Sequence, residues 1–146
     1  MSGNPTFEIT VEASFSAAHA IVLGGQLEPL HGHDWHVTVT IAGTKLDREG
    51  LLCDFHAVER ALAQIVHPWH NQNLNERLPF ADTQTKAKHP ALNPTAEHVA
   101  MTIGSKLKHR LEGSDRPLQG RAWVVSVRVT EAPGCAATCR FPVPIA

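Results

Sequence analysis

An α+β fold, with a sheet carrying helices on one face, is predicted by three observations. Two stretches near the N-terminus alternate apolar and polar residues. Two central stretches place apolar residues at helical spacing. Two stretches near the C-terminus are again extended, giving the order ββααββ. Phe7, Ile9, Val11, Ala13 and Phe15 alternate with polar neighbours, as on a half-buried strand, and His19 ends that strand. After a loop containing Gly and Pro, alternation resumes from Trp35 to Leu46 through Val37, Val39 and Ile41. Asp47-Arg-Glu-Gly50 reads as a hairpin turn, with Leu51-Leu52-Cys53 extended after it. Asp54 fits a helix N-cap, and Phe55, Val58, Leu62 and Ile65 follow at helical spacing. His67-Pro68 ends that helix, because a proline disfavours helix in the residue before it. A polar loop runs to Asn93. There Asn93-Pro94 fits an N-cap followed by proline at the first helical position, and Val99, Ile103 and Leu107 form the stripe of a second helix that stops near Gly113. Trp123 to Thr130 is a β-branched strand, and a shorter one is expected from Ala137 to Phe141.

The 146 residues suit one compact domain, taken as residues 1–146, able to bury a core without disulfides or a structural metal. Lys+Arg of 13 against Asp+Glu of 14 leaves no broad basic field, so no nucleic-acid partner is expected. No apolar run approaches the roughly 20 residues that cross a bilayer, and Met1-Ser-Gly-Asn-Pro5 carries no secretory pattern. The cysteines are Cys53, Cys135 and Cys139. An odd number at unpatterned spacing argues against a disulfide framework and for a reducing, cytoplasmic setting, with the thiols read as packing residues.

Ten histidines against no tyrosine direct the search for chemistry, since imidazole is the commonest metal-ligating side chain. In His31-Gly32-His33 the two rings, at i and i+2 of an extended chain, share one face and can reach one ion, with Gly32 leaving room between them. Antiparallel pairing of the first two strands would bring His19 to the same end. Three neutral imidazoles with an open fourth position form the catalytic zinc pattern. A His-x-His pair alone is equally compatible with ordinary strand surface; the third histidine favours the metal. His36, at odd spacing from His33, should face away. His56, His98 and His109 fall on helices and read as surface or satisfied core residues. Glu131 closes the last long strand. It reads as a solvated strand end, or as an anchor for a ligand whose paired donors a carboxylate can grip through two parallel hydrogen bonds.

Phe15-Ser-Ala-Ala-His19, Leu30-His-Gly-His33, Leu52-Cys-Asp-Phe55, Asn73-Leu-Asn-Glu76, Asn93-Pro-Thr-Ala-Glu97 and Val129-Thr-Glu131 occur in an order that resembles the 6-pyruvoyl-tetrahydropterin synthase family, which includes the 6-carboxy-tetrahydropterin synthases of queuosine biosynthesis. The resemblance spans nearly the whole chain. It implies the tunnelling fold, in which a four-stranded antiparallel sheet with two helices assembles with two other copies into a twelve-stranded barrel, and two trimers stack as a hexamer. It implies zinc on His19, His31 and His33, a pterin held by Glu131 with help from Thr95, and sites between subunits. The usual substrate is 7,8-dihydroneopterin triphosphate, with zinc as Lewis acid.

Two departures stand out. Leu27 occupies the position of the family's usual cysteine base, and in Pro68-Trp-His-Asn-Gln-Asn-Leu-Asn-Glu76 His70 and Asn71 replace its Asp-His dyad. Glu28, beside the missing cysteine, resembles the branch in which a glutamate is the base and dihydroneopterin is cleaved, as by an aldolase, to 6-hydroxymethyl-dihydropterin and glycolaldehyde. Glu28 also reads as a loop surface charge. His70 reads either as a second acid/base group or as filling the old Asp space. Three functions follow: a synthase-type lyase, an aldolase-like lyase, and a zinc- and pterin-binding protein without turnover.

Overall fold

The computed structural model describes residues 3–84 and 89–144. In chain order the elements are β1 (Phe7–His19), β2 (Val22–Leu23), β3 (Gln26–Leu27), β4 (His31–Gly43), α1 (Phe55–Val66), β5 (Gln72–Asn73), α2 (Ala96–Leu111), β6 (Ala122–Ala132) and β7 (Cys135–Arg140). The sheet order is β5-β1-β4-β6-β7. β1, β4, β6 and β7 are mutually antiparallel neighbours, and β5 adds parallel to β1 only at Ala17 and Ala18. The predicted α+β class and four-stranded antiparallel sheet are present. The additions are β5 and the separate β2–β3 hairpin, whose two-residue strands are too short to carry a periodicity.

Several boundaries move. β4 starts at His31 and ends at Gly43, against Trp35 to Leu46 by alternation, because the ladder pairs the polar run His31 to Asp34 as fully as the apolar run after it. Asp47 turns the chain as predicted, its Oδ1 accepting the Glu49 and Leu51 amides, both at 2.9 Å. Leu51–Cys53 is not a strand; the Arg121 guanidinium holds the Leu51 and Leu52 carbonyls instead. α1 matches its predicted cap, with Asp54 Oδ1 accepting the His56 amide at 2.9 Å. α2 begins two residues late. Its N-cap is Thr95, whose Oγ1 accepts the His98 amide at 3.2 Å, and Asn93 is used elsewhere. β7 lies at Cys135–Arg140 rather than 137–141.

Both helices pack on one face of the sheet. Phe15, Trp35, Val37, Val39, Val127 and Val129 meet Val58, Leu62, Ile65, Val99, Ile103 and Leu107 in one cluster, where each fully buried aliphatic or aromatic side chain contributes about 1.5–3 kcal/mol. Phe15 and Trp35 stack in parallel, centroids 5.8 Å apart. Side chains alternate faces along a strand, so the core-facing row runs on past the apolar residues: two beyond Ala17 to His19, two and four before Trp35 to His33 and His31, two beyond Val129 to Glu131. One end of the core row is therefore built of ionisable groups. No described helix is long and apolar enough to cross a membrane.

Candidate metal centre

His19 and His31 are directly opposed across β1 and β4, and His33 opposes Ala17. The three rings offer nitrogen atoms that all lie within 4.8 Å of one another. His19 is fully buried, and its Nδ1–H donates to the Pro94 carbonyl at 2.7 Å. The Nδ1–H of His31 donates to the Pro29 carbonyl at 2.9 Å. A carbonyl accepts only, so these bonds assign the proton to Nδ1 and leave the Nε2 lone pair for an ion. Trp35 floors the group, its indole edge-on to His19 at 4.8 Å and its N–H donating to the Ala17 carbonyl at 3.1 Å.

Two nitrogens stand out as unsatisfied. His19 Nε2 and His33 Nε2 are buried without a hydrogen-bond partner. Glu131 Oε1 lies 2.9 Å from the first and 3.7 Å from the second, but neither approach is a hydrogen bond; with the His19 proton on Nδ1, its Nε2 and the carboxylate oxygen are both acceptors. Burial pushes the His19 pKa below its ordinary value. The Pro94 carbonyl and the Glu131 charge oppose that shift without reversing it. Leaving buried polar atoms orphaned is costly. Imidazole nitrogens left without a hydrogen-bond partner suit a borderline-soft divalent ion such as zinc, so the residues present fit the metal.

Glu131 and Thr95 line one cleft of about 440 Å³, together with Ile21, Ala96, Gly134 and Cys135. The two residues expected to anchor a ligand thus line one cleft, and Glu131 also lies beside His19 and His33. Glu28 is placed differently. Its Oε1 accepts the Ile21 amide at 3.1 Å and sits 3.7 Å from His31 Nδ1, behind the ring rather than at Nε2. His70 Nδ1 accepts the Ser16 amide at 3.1 Å, so its ring proton is on Nε2, which can donate. His70 lines a separate hollow of about 220 Å³ with Ser14, Phe15 and Val66, apart from the three histidines.

His36 faces away as expected, paired with Ser14 Oγ at 3.0 Å. Gly32 does not make room between the rings: a side chain there would project to the opposite face, its nearest neighbour the Ala17 carbonyl oxygen at 3.9 Å. The packing role holds for Cys53, which is buried, and fails for Cys135, which is exposed. Desolvation and the Asp54 charge push the Cys53 thiol up to about 11, where almost no thiolate exists at neutral pH. A thiol reagent at neutral pH should therefore modify Cys135 and spare Cys53, as peptide mapping by mass spectrometry would show; faster labelling of Cys53 would contradict the placement. Missed from sequence were Pro94, which acts through its carbonyl, and Asn75 and Asn93, whose carboxamides grip a loop. A backbone acceptor has no side-chain signature, and Asn93 has the spacing of a cap.

Comparison with known proteins follows the same lines. The family model described as 6-pyruvoyl tetrahydropterin synthase matches residues 8–142. The chain is 30% identical over 131 residues to a 6-carboxy-5,6,7,8-tetrahydropterin synthase of Bacillus subtilis, covering 88% of this chain and 81% of the relative. It is 29% identical over 105 residues to a dihydroneopterin monophosphate aldolase of Pyrococcus furiosus, covering 72% and 78%. In fold it is similar to the Caenorhabditis elegans 6-pyruvoyl tetrahydropterin synthase, with a TM-score of 0.73 at 19% identity over 97% of this chain and 100% of that one. A match that runs from β1 past β7 takes in every strand of the main sheet and both helices, and the chain belongs to the 6-pyruvoyl tetrahydropterin synthase family.

Proposed function

We propose that this chain is a zinc-dependent pterin side-chain lyase acting on 7,8-dihydroneopterin triphosphate. The observation that carries the reading is the meeting of His19, His31 and His33 with Glu131, which lies beside them and lines the adjoining cleft with Thr95. Glu131 accepts the 2-amino and N3–H donors of the pterin, fixing the ring so that its side chain reaches the histidines. Zinc held there supplies Lewis-acid polarisation of the substrate's side-chain oxygens. The Pro94 and Pro29 carbonyls aim the His19 and His31 rings and hold a proton of each on Nδ1, so that Nε2 faces the ion site.

Glu131→Gln tests the anchor. It keeps the shape, removes the charge and turns one acceptor into a donor. Pterin binding should weaken by about 1.5–3 kcal/mol, the worth of a hydrogen bond to a charged group, in a calorimetric titration; unchanged affinity would refute the anchor.

A second reading, aldolase-like cleavage of dihydroneopterin, is favoured by Leu27 in place of a thiol with Glu28 beside it, and a relative carries an aldolase name. Product analysis with dihydroneopterin and its triphosphate, zinc present, separates the readings. A pyruvoyl or carboxy tetrahydropterin from the triphosphate supports the first. Glycolaldehyde with 6-hydroxymethyl-dihydropterin supports the second. Pterin binding without turnover on either substrate leaves a zinc- and pterin-binding protein.

Assembly belongs to the same proposal. β7 has only β6 as a neighbour, and β1 from Phe7 to Phe15 is unpaired on its outer side among the described residues. Exposed edges of this length are normally covered. The alternation β1, β4, β6, β7 continues antiparallel when β7 of one copy meets β1 of the next. A closed trimer or dimer of trimers would use both edges and bring His70 toward a neighbour's site. The free thiols suit a cytoplasmic protein.

A further inference from the structure

The segment that follows His19 leaves the sheet, yet none of its backbone groups is idle. Asn75 clasps Ala20 at both ends, Oδ1 accepting the Ala20 amide and Nδ2 donating to its carbonyl, both at 2.8 Å. Ile21 is held by Glu28, whose carboxylate accepts its amide at 3.1 Å and whose own amide donates to its carbonyl at 3.0 Å. Asn93 clasps Val22 in the manner of Asn75, Oδ1 accepting the Val22 amide at 2.8 Å and Nδ2 donating to its carbonyl at 3.0 Å. Asn93 is also gripped through its carbonyl, by the His98 ring at 2.7 Å and the Thr95 amide at 2.8 Å. The next residue is Pro94, whose carbonyl takes the Nδ1–H of His19.

We propose that Asn93 is a positioning residue for His19. Its side chain fixes the 93–95 stretch against the 20–22 stretch, and that contact sets both the backbone leaving His19 and the carbonyl that orients the His19 ring. Asn75 is the second clasp on the same segment. A carboxamide serves here because it alone among short side chains offers a donor and an acceptor side by side, the pair a strand neighbour would present. Capping does not account for Asn93, since Thr95 caps α2. The inference rests on the metal reading of the three histidines. Partners that orient a ligand from outside the coordination shell typically carry a 10–100-fold effect on metal affinity.

The test uses the full chain, stripped of metal and titrated with Co²⁺ and Zn²⁺, comparing wild type with His19→Ala, Asn93→Ala and Asn93→Asp. Asn93→Asp keeps an acceptor for the Val22 amide but sets a carboxylate oxygen against the Val22 carbonyl, and it serves where the alanine variant fails to fold. The Asn93 variants should bind about 10–100-fold more weakly and shift the visible Co²⁺ band, while wild type gives the full band and His19→Ala loses it. Wild-type affinity and band in the Asn93 variants, with only a lowered melting temperature, would overturn the proposal by making the clasp merely structural. Absence of binding by wild type, or an unaffected His19→Ala, would overturn the metal reading itself and this inference with it.

Discussion

Replacing His31 with alanine is expected to leave the protein folded, empty of stoichiometric metal and without pterin turnover. His31 is the informative choice among the three because its side chain is 40% exposed, whereas removing the fully buried His19 ring would also open a cavity beside Trp35. Loss of one of three imidazoles should weaken zinc more than the roughly 10–100-fold typical of outer partners. Metal analysis after dialysis, with circular dichroism to confirm the fold, checks the result; full metal content in the variant would refute the site. Acidification should act in the same direction, since protons compete for the lone pairs that hold the ion. The sign for the metal-free protein follows from His19. Its pKa is lowered from the ordinary 6.5, chiefly by burial. As pH falls below 6.5 the unfolded chain takes up a proton that the folded one refuses. Folding stability therefore declines until the folded pKa is passed, and is fully present above 6.5.

Glu28→Gln should lower kcat by about 10²–10⁴-fold, the usual contribution of a positioned acid or base, with metal content and pterin affinity retained. Glutamine keeps an oxygen to accept the Ile21 amide that Glu28 holds at 3.1 Å, so the loop stays in place while the basicity is lost. Glu28→Ala removes both functions. Comparison of the two variants by steady-state kinetics separates them: a fall in kcat common to both marks the base, whereas wild-type kcat in the glutamine variant and a loss only in the alanine variant would assign Glu28 to the loop alone. His70 presents a donor rather than an acceptor, because its Nδ1 is occupied by the Ser16 amide. That arrangement fits a hydrogen-bond donor to developing negative charge rather than a second base.

Much of this architecture was legible in the chain because period and position agree. Phe7 to Phe15 and Val37 to Ile41 alternate at period two, and the same alternation carries on to His19 and back to His31, so the meeting of three histidines follows from strand geometry. Asp54 was legible as a cap because its carboxylate is the sole candidate before the stripe of α1. Asn93 was misread because cap chemistry and amide clasping use the same atoms, and only the fold shows which amides lie in reach. β2, β3 and β5 left no trace, since two residues cannot display a period. The strand from His31 to Asp34 was invisible to hydropathy because its partners across the ladder, not its apolarity, make it extended. Glu28 was legible as a neighbour of the ligands but not as a hydrogen-bonding partner of Ile21, a contact seven residues back along the chain.

The pairing of His19 with His31 belongs to the same ladder that sets Phe15 opposite Trp35 and Val11 opposite Val39. A slip of one residue would throw every one of these side chains to the other face, so the apolar row polices the alignment of the imidazoles at its end. The proposed centre thus draws its preorganisation from hydrocarbon packing rather than from the ion. Unlike a zinc finger, whose folding free energy is its binding free energy, such a site has no thermodynamic leverage to demand one metal as the condition of folding. Which divalent ion resides there becomes a matter of donor softness and cellular supply, and exchange of one ion for another need not disturb the scaffold.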